Sequence, residues 1–376
     1  MRGVLTRPED ATPGWLNQVL GAGGGGGGGE IVAVRHGSAL PQAGASRVHR
    51  LDVTYAPGTP PERRPRLLLK LSRIDPDWVG WGGFTGRQLT EKEVYFYREI
   101  APLMPGVPTI RCFDASCDRK TGAGHLLLED VSATHVQPLR PDPPPEPVCA
   151  QAVGVLAALH AHWWERPDLD RLRGGAQAAQ ASNTADAQHA QDAEVARVSA
   201  KVAAFLDYMG EALPAHRRSQ LAASAAYLPT LLRRQASGPH TLIHQDAHWR
   251  NFLYPKDPKD QTHPTYLFDW QSWSVGACVT DLRYLLARHW GPAGAQDMLV
   301  RLLRRYHEGI TERGVSGYSW TQLMEDFRLA VARIPCAPAV QWSDYGNPTD
   351  ERERWAASVE RSAMVFDALG CAALLA

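Results

Sequence analysis

Short apolar segments alternate with polar segments in the part of the chain that leads to Asp269. Three runs are largely apolar: Thr241-Leu242-Ile243, Phe252-Leu253-Tyr254 and Thr265-Tyr266-Leu267-Phe268. The polar stretch from His244 to Asn251 separates the first two runs, and the turn-forming residues Pro255 to Pro264 separate the last two. Apolar runs of this length between polar turns are typical of short strands. The pattern predicts a strand, a polar loop and two further strands, the last of which ends at Asp269.

The rest of the chain divides into a strand-rich first part and a helix-rich second part. Apolar runs predict three early strands, at Ile31–Val34, Val48–Val53 and Leu67–Leu71. One helix is expected after them, from Thr90 to Ile100, with Thr90 as its N-cap and Glu93 at the capping-box position. Helical periodicity then dominates; it covers residues 149–165, 194–235 and most of the chain after Asp281.

Asp246, Asn251 and Asp269 have the spacing of a phosphoryl-transfer site. Asn251 follows Asp246 by five positions, and Asp269 follows Asn251 by 18. Transfer of a γ-phosphoryl group needs a carboxylate to accept the hydroxyl proton and oxygen ligands to hold Mg²⁺ against the phosphates. Asp246 is therefore predicted as the base, and Asn251 and Asp269 as the metal ligands. The order is that of the protein-kinase motifs H-R-D-x-x-x-x-N and D-F-G.

Lys70 is the candidate phosphate-binding lysine. It interrupts the apolar run Leu67-Leu68-Leu69-Lys70-Leu71. An ammonium group in a buried strand needs an anionic partner because its desolvation is costly. A nucleotide phosphate and a glutamate of the next helix would provide one, and Glu93 is the expected partner, with Glu91 and Glu99 as alternatives. The competing interpretation is an edge-strand lysine whose amine extends to water.

These motifs, taken in order, resemble a known family. Segments along nearly the whole chain contribute to the resemblance: Trp15–Leu20, Glu93–Tyr97, Leu126–Asp130, Leu156–Ala161, His244–Asn251, Phe268–Gln271 and Asp281–Leu286. They are similar to segments of the aminoglycoside phosphotransferase and choline kinase-like superfamily, in particular its ecdysteroid-kinase-like branch and its bacterial relatives. The resemblance implies an α+β, two-lobed protein-kinase-like fold, with an N-terminal antiparallel sheet plus helix and a mostly helical C-terminal lobe.

The resemblance also implies the organisation and the cofactors. Residues 1–30 are expected to form a helix and a glycine-rich linker, residues 31–130 the nucleotide-binding lobe, and residues 131–376 the catalytic and acceptor-binding lobe. ATP, or alternatively GTP, would bind with Mg²⁺. Glu129 would lie at the hinge after the fifth strand, where the nucleotide contacts the chain.

The phosphate-covering loop departs from the kinase pattern. The stretch between the first two predicted strands contains no G-x-G-x-x-G, and we expect backbone amides from Gly44 to Ser46 to contact phosphate instead. The run from Gly23 to Gly29 precedes the first strand, so it is predicted to be a linker.

Composition narrows the class of partner. The net charge is zero and the pI is about 7.2, so the chain lacks the excess of basic residues that is typical of nucleic-acid-binding proteins. The chain has no 18-residue apolar run and no signal-peptide core near its first residue, so neither a membrane span nor secretion is expected. The six cysteines lack paired spacing and are predicted to be reduced thiols of a cytoplasmic protein. The sequence indicates no oligomeric state.

The acceptor is the least defined part of the prediction. Acidic and aromatic residues are frequent after residue 341; the acids are Asp344, Asp350, Glu351, Glu353, Glu360 and Asp367. They would suit a cationic acceptor, or they form a solvated helix face. His248 either contacts substrate or phosphate or stabilises its own loop. Two functions remain open: a phosphotransferase acting on a hydroxylated small molecule, and a catalytically silent kinase-like nucleotide-binding module.

Overall fold

The computed structural model describes residues 3–22, 29–40, 46–72, 85–138, 145–177, 184–257, 259, 262–287 and 295–375. These residues form two compact units. The first unit contains Met1–Gln137 and Leu253–Trp273, and the second contains Pro138–Phe252 and Ser274–Ala376. The domain limits 1–30, 31–130 and 131–376 stay a prediction. Most of the glycine run, residues 23–28, lies outside the described residues.

The first unit is built on a five-stranded antiparallel sheet. Its strands are β1 (Ile31–Ala39), β2 (Ser46–Tyr55), β3 (Leu67–Ser72), β4 (Cys112–Cys117) and β5 (Gly124–Glu129), in the order β1-β2-β3-β5-β4. Along β3, Leu67, Leu69 and Leu71 are buried in the core of the unit. Because side chains alternate between the two faces of a strand, Lys70 lies on the face opposite to these leucines.

Two helices accompany this sheet. Helix α1 (Pro13–Ala22) contributes Leu16, Val19 and Leu20 to the same core. Helix α2 (Gly86–Tyr95) continues into a π-helical turn over Phe96–Ile100.

The predicted N-cap of α2 at Thr90 is wrong. Thr85 caps the helix: its hydroxyl accepts a hydrogen bond from the Gln88 backbone N–H, and its own backbone N–H donates to Gln88 Oε1. Thr90 instead lies inside the helix and donates to the Gly86 carbonyl. The earlier capping box prevails because the extra turn buries Leu89.

Three strands were expected between residues 241 and 268, and all three are present. Strand β6 (His135–Val136) pairs with β8 (Phe252–Pro255), which is followed in the sheet by β9 (Tyr266–Leu267). In the second unit, β7 (Thr241–Ile243) pairs antiparallel with β10 (Ser274–Gly276). The polar loop that begins at His244 therefore starts from a paired, fully buried strand.

The second unit is otherwise helical. Its helices are α3 (Glu146–Trp163), α4 (Asp168–Gln177), α5 (Thr184–Met209), α6 (Ala215–Ala236), α7 (Val279–Leu286), α8 (Ala295–Glu312), α9 (Trp320–Val331), α10 (Ala337–Asp344) and α11 (Arg352–Ala368). Phe205, Trp342 and Trp355 are at the centre of one of its cores. The predicted α+β class, with an N-terminal antiparallel sheet and a mostly helical remainder, is confirmed. No helix within the described ranges has both the length and the apolar character to span a membrane.

Candidate active site

Asp246 and Asn251 are joined by hydrogen bonds within one loop of the second unit. The loop runs from the end of β7 to a 3-10 turn at Trp249–Asn251. Asn251 Nδ2 donates to the Asp246 carbonyl at 2.8 Å and to Asp246 Oδ2 at 3.0 Å. Both of these atoms are acceptors, so the amide nitrogen must face them and Asn251 Oδ1 must face away. Among the described residues, no donor contacts Asp246 Oδ1, which leaves this oxygen open to a ligand.

Asp281 holds this loop from the beginning of α7. Its Oδ2 accepts from the His244 backbone N–H at 2.7 Å, and its Oδ1 accepts from the Gln245 backbone N–H at 2.8 Å. The Asp281 side chain is fully buried. Gln245 has φ +65°, a left-handed conformation that is uncommon for a side chain of this kind. The two bonds from Asp281 offset that strain and fix the backbone next to Asp246.

A buried histidine completes the anchor. His160 Nε2 lies 3.2 Å from Asp281 Oδ2, and its Nδ1 lies 2.8 Å from the Tyr306 hydroxyl. His160 therefore serves core packing and hydrogen bonding. The anchoring role of Asp281 was missed from the sequence. The available signal was an acid among Val279, Leu282 and Leu285, the apolar positions of a helix.

Lys70, Glu93 and Asp269 form a buried cluster in the first unit. Lys70 Nζ donates to Glu93 Oε1 at 2.8 Å and to Asp269 Oδ1 at 2.6 Å. The side chains of Lys70 and Glu93 are 11% and 6% exposed. Burial by itself would lower the pKa of Lys70, but the charges of Asp269 and Glu93 outweigh it and raise the pKa above its usual value. Lys70 therefore carries a positive charge at neutral pH.

The charge of this cluster and its donor set fit a magnesium-bound nucleotide. One ammonium group faces two carboxylates, so a further cation would balance the charge of the cluster. Asp269 is only partly buried, and Gln271 Nε2 donates to its Oδ2 at 3.2 Å. Asp269 has φ +66°, which Asp tolerates better than most residues. The carboxylate oxygens of Asp269 are hard ligands of the kind that Mg²⁺ takes.

Helix α2 is packed against the segment that follows Asp269. The rings of Phe96 and Trp270 are stacked with their centroids 3.9 Å apart, and those of Tyr95 and Trp273 are stacked at 5.9 Å. Trp273 Nε1 also donates to the Lys92 carbonyl at 2.8 Å. Since Glu93 lies on the same helix, these contacts hold Glu93 and Asp269 in one packed element.

Lys92 is itself buried against this segment. Its Nζ lies 3.5 Å from the Ser272 carbonyl and 5.7 Å from the ring centre of Trp273. Burial lowers the pKa of Lys92 to about 8. The Trp273 ring covers this side chain.

Three further residues were predicted to contact the nucleotide, and the structure describes two of them. Ser46 begins β2, where its register partner is Ser72 of β3. Glu129 ends β5, and its backbone N–H donates to the Arg111 carbonyl at 2.9 Å. Gly44 lies outside the described residues. Their roles in nucleotide binding stay predictions.

Several acids of the C-terminal segment are paired with basic side chains. Arg217 bonds both Glu360 and Asp367, Lys201 bonds Asp344, and Arg354 bonds Glu351. Trp342 and Trp355 belong to the hydrophobic core. These contacts favour the structural interpretation of the acids over a cation-binding pocket, because charges that are already paired attract a further cation less strongly.

Comparison with known proteins identifies the class. The model of the ecdysteroid kinase-like family matches residues 43–314, which is more than half of the 376-residue chain. The chain belongs to this family, and the predicted superfamily is confirmed. It is thus a member of a kinase-like phosphotransferase family.

Solved structures show the same fold. A candidate aminoglycoside phosphotransferase of Ralstonia eutropha has a TM-score of 0.54 at 12% identity, over 95% of this chain and 97% of that one. An ethanolamine kinase of Plasmodium vivax has a TM-score of 0.51 at 11% identity, over 88% and 83%. The GDP complex of a mutant aminoglycoside 2′-phosphotransferase-IIIa has a TM-score of 0.50 at 14% identity, over 92% and 93%. The predicted two-lobed, protein-kinase-like fold class is confirmed. No curated protein sequence matches the chain.

Proposed function

We propose that this protein transfers the γ-phosphoryl group of ATP to a hydroxyl group of a small-molecule acceptor. The observation that carries the proposal is the buried contact of Lys70 with both Glu93 and Asp269. Kinases use a strand lysine paired with a helix glutamate to bind nucleotide phosphates, and an aspartate to bind the metal. A lysine fixed by two carboxylates is oriented before the nucleotide arrives, which reduces the entropy lost on binding.

The residues proposed to bind the nucleotide and its metal ion are those predicted from the sequence. Lys70 would bind phosphate oxygens, and Asp269 and Asn251 would hold Mg²⁺, which would neutralise charge on the phosphates. Ser46 and Gly44 are proposed to contact phosphate through backbone amides, and Glu129 to mark the strand end that meets the nucleotide base. GTP in place of ATP is an alternative that a binding assay distinguishes.

Asp246 is proposed as the base. Asn251 Nδ2 donates to its Oδ2 and orients the carboxylate, whose remaining lone pairs can take the proton of the acceptor. As the acceptor oxygen forms its bond to phosphorus, its proton passes to Asp246. The bond between the γ-phosphorus and the bridging oxygen then breaks, and its electron pair leaves on the nucleoside diphosphate.

A hydroxylated small molecule is the proposed acceptor class. The family description suggests an ecdysteroid, and the solved structures of similar fold suggest ethanolamine or an aminoglycoside. The pairing of the C-terminal acids supports an uncharged acceptor over a cationic one. A cytoplasmic location is proposed as well, because all six cysteines are free thiols.

Two measurements test the function. Calorimetric titration with ATP and GTP, with and without Mg²⁺, should show metal-dependent binding. An ADP-release assay with an ecdysteroid, ethanolamine and an aminoglycoside should then show acceptor-dependent turnover that Asp246→Asn removes. Tight MgATP binding with no turnover of any acceptor would instead support the silent nucleotide-binding module. Absence of nucleotide binding would contradict both.

A further inference from the structure

His248 and Asp246 present two polar groups side by side at the surface of the catalytic loop. His248 Nε2 lies 3.7 Å from Asp246 Oδ2, and the two side chains are 27% and 29% exposed. This separation is too long for a direct hydrogen bond. One oxygen atom could contact both groups, because an atom about 2.8 Å from each completes a triangle on a 3.7 Å base.

The buried side of the His248 ring defines where its proton lies. His248 Nδ1 is buried, and no described residue offers it a hydrogen-bond partner. A buried N–H without an acceptor is rarer in proteins than an unpaired acceptor, so Nδ1 carries the lone pair. The proton is therefore on Nε2, which faces Asp246. The ring of Tyr284, on α7, packs at 6.0 Å between centroids and limits rotation of the imidazole.

We propose that His248 is a second catalytic contact to the acceptor oxygen, donating its Nε2–H to that oxygen while Asp246 takes the proton. The inference rests on the proposed phosphotransferase function. One lone pair of the acceptor oxygen accepts from His248, and the other forms the bond to phosphorus. The O–H proton goes to Asp246, and the electron pair of the broken phosphorus–oxygen bond leaves on the nucleoside diphosphate.

This arrangement selects the acceptor class. A hydroxyl oxygen has two lone pairs, so it can accept from His248 and attack phosphorus at the same time. A neutral amine has one lone pair, and using it toward His248 would prevent the attack. Asp246 and His248 together therefore favour alcohols, or water, over amines.

The test uses the full chain with MgATP and water as the acceptor, followed by phosphate release. His248→Leu removes the donor and should lower kcat roughly tenfold, the loss expected for one hydrogen bond made in the transition state. The KM for MgATP should change less than about twofold, because His248 contacts the acceptor and not the nucleotide. His248→Gln supplies an N–H near the same place and should recover activity to within about threefold of the parental protein. His216→Leu, at an exposed position of α6, is the matched control.

A spectroscopic measurement separates this role from a structural one. Long-range ¹H–¹⁵N spectra of histidine-labelled protein, with the His248 signals assigned by their loss in His248→Gln, should show the Nε2–H tautomer. An Nδ1–H tautomer, or a His248→Leu variant as active as His216→Leu, would overturn the inference and leave the proposed function intact. If His248→Leu does not fold, the activity of His248→Gln and the observed tautomer of His248 still test the inference. A parental protein that turns over neither water nor any acceptor of the panel refutes the proposed function, and this inference with it.

Discussion

Replacing Asp281 by Asn should destabilise the second unit. The carboxylate accepts three hydrogen bonds: from the His244 and Gln245 backbone amides, and from His160 Nε2. An asparagine keeps one acceptor oxygen and turns an NH₂ group toward at least one of these donors. At least one bond to a charged group is then lost, and one buried N–H is left facing another donor.

The expected decrease in the free energy of unfolding follows from these lost hydrogen bonds. A hydrogen bond to a charged group contributes roughly 1.5–3 kcal/mol, so we expect a destabilisation of about 2–3 kcal/mol. For a unit of this size, that lowers the melting temperature by about 5–10 °C. Circular dichroism melting measures it, with Asp350→Asn as the control because Asp350 is exposed. An Asp281→Asn variant that melts within about 1 °C of that control would refute the anchoring role of Asp281.

Three further predictions address the chemistry and its surroundings. Asp246→Asn should lower turnover by about 10²–10⁴-fold and leave MgATP affinity unchanged, since the amide keeps an oxygen for Asn251; an ADP-release rate equal to the parental one would contradict it. Asp269→Ala should weaken MgATP binding in calorimetry more than Asn251→Ala, because it removes a charged ligand; equal Mg²⁺ dependence would contradict the assignment. Burial lowers the pKa of Lys92 from 10.5 to about 8, so between these values the unfolded chain binds more protons and stability rises with pH. Lys92→Met should lose this rise in melting temperature, and parallel pH profiles would count against it.

Local patterns predicted the parts of the fold whose determinants lie close together in sequence. The three strands near the loop from His244 to Asn251 were predicted from short apolar runs and the turns between them. The contact of Lys70 with Glu93 was anticipated because a buried amine requires an anion on a neighbouring element. The first inference needs only the spacing of apolar residues along the chain, and the second needs only the free-energy cost of burying a charge.

Features that depend on competition or on distant contacts were not predictable in the same way. Two capping boxes overlap at the start of α2, and only the burial of Leu89 decides between Thr85 and Thr90. Asp281 is 37 residues from the amide of His244 that it holds, and nothing in the sequence indicates which backbone groups a buried acid will satisfy. Trp273 covers Lys92, although the two residues are 181 positions apart in the sequence.

The contact between Lys70 and Asp269 has a consequence for synthesis of the protein. The two residues are separated by 199 positions, and the five strands of the sheet all precede residue 130. At about 5–20 residues per second, the ribosome makes Asp269 roughly 10–40 s after Lys70. During that interval a folded sheet would hold the lysine with Glu93 alone. The nascent first unit therefore completes its ionic cluster only after the whole of the second unit's first segment, Pro138–Phe252, has been translated. Until then Lys70 and Glu93 form a neutral pair, and the second carboxylate joins them last.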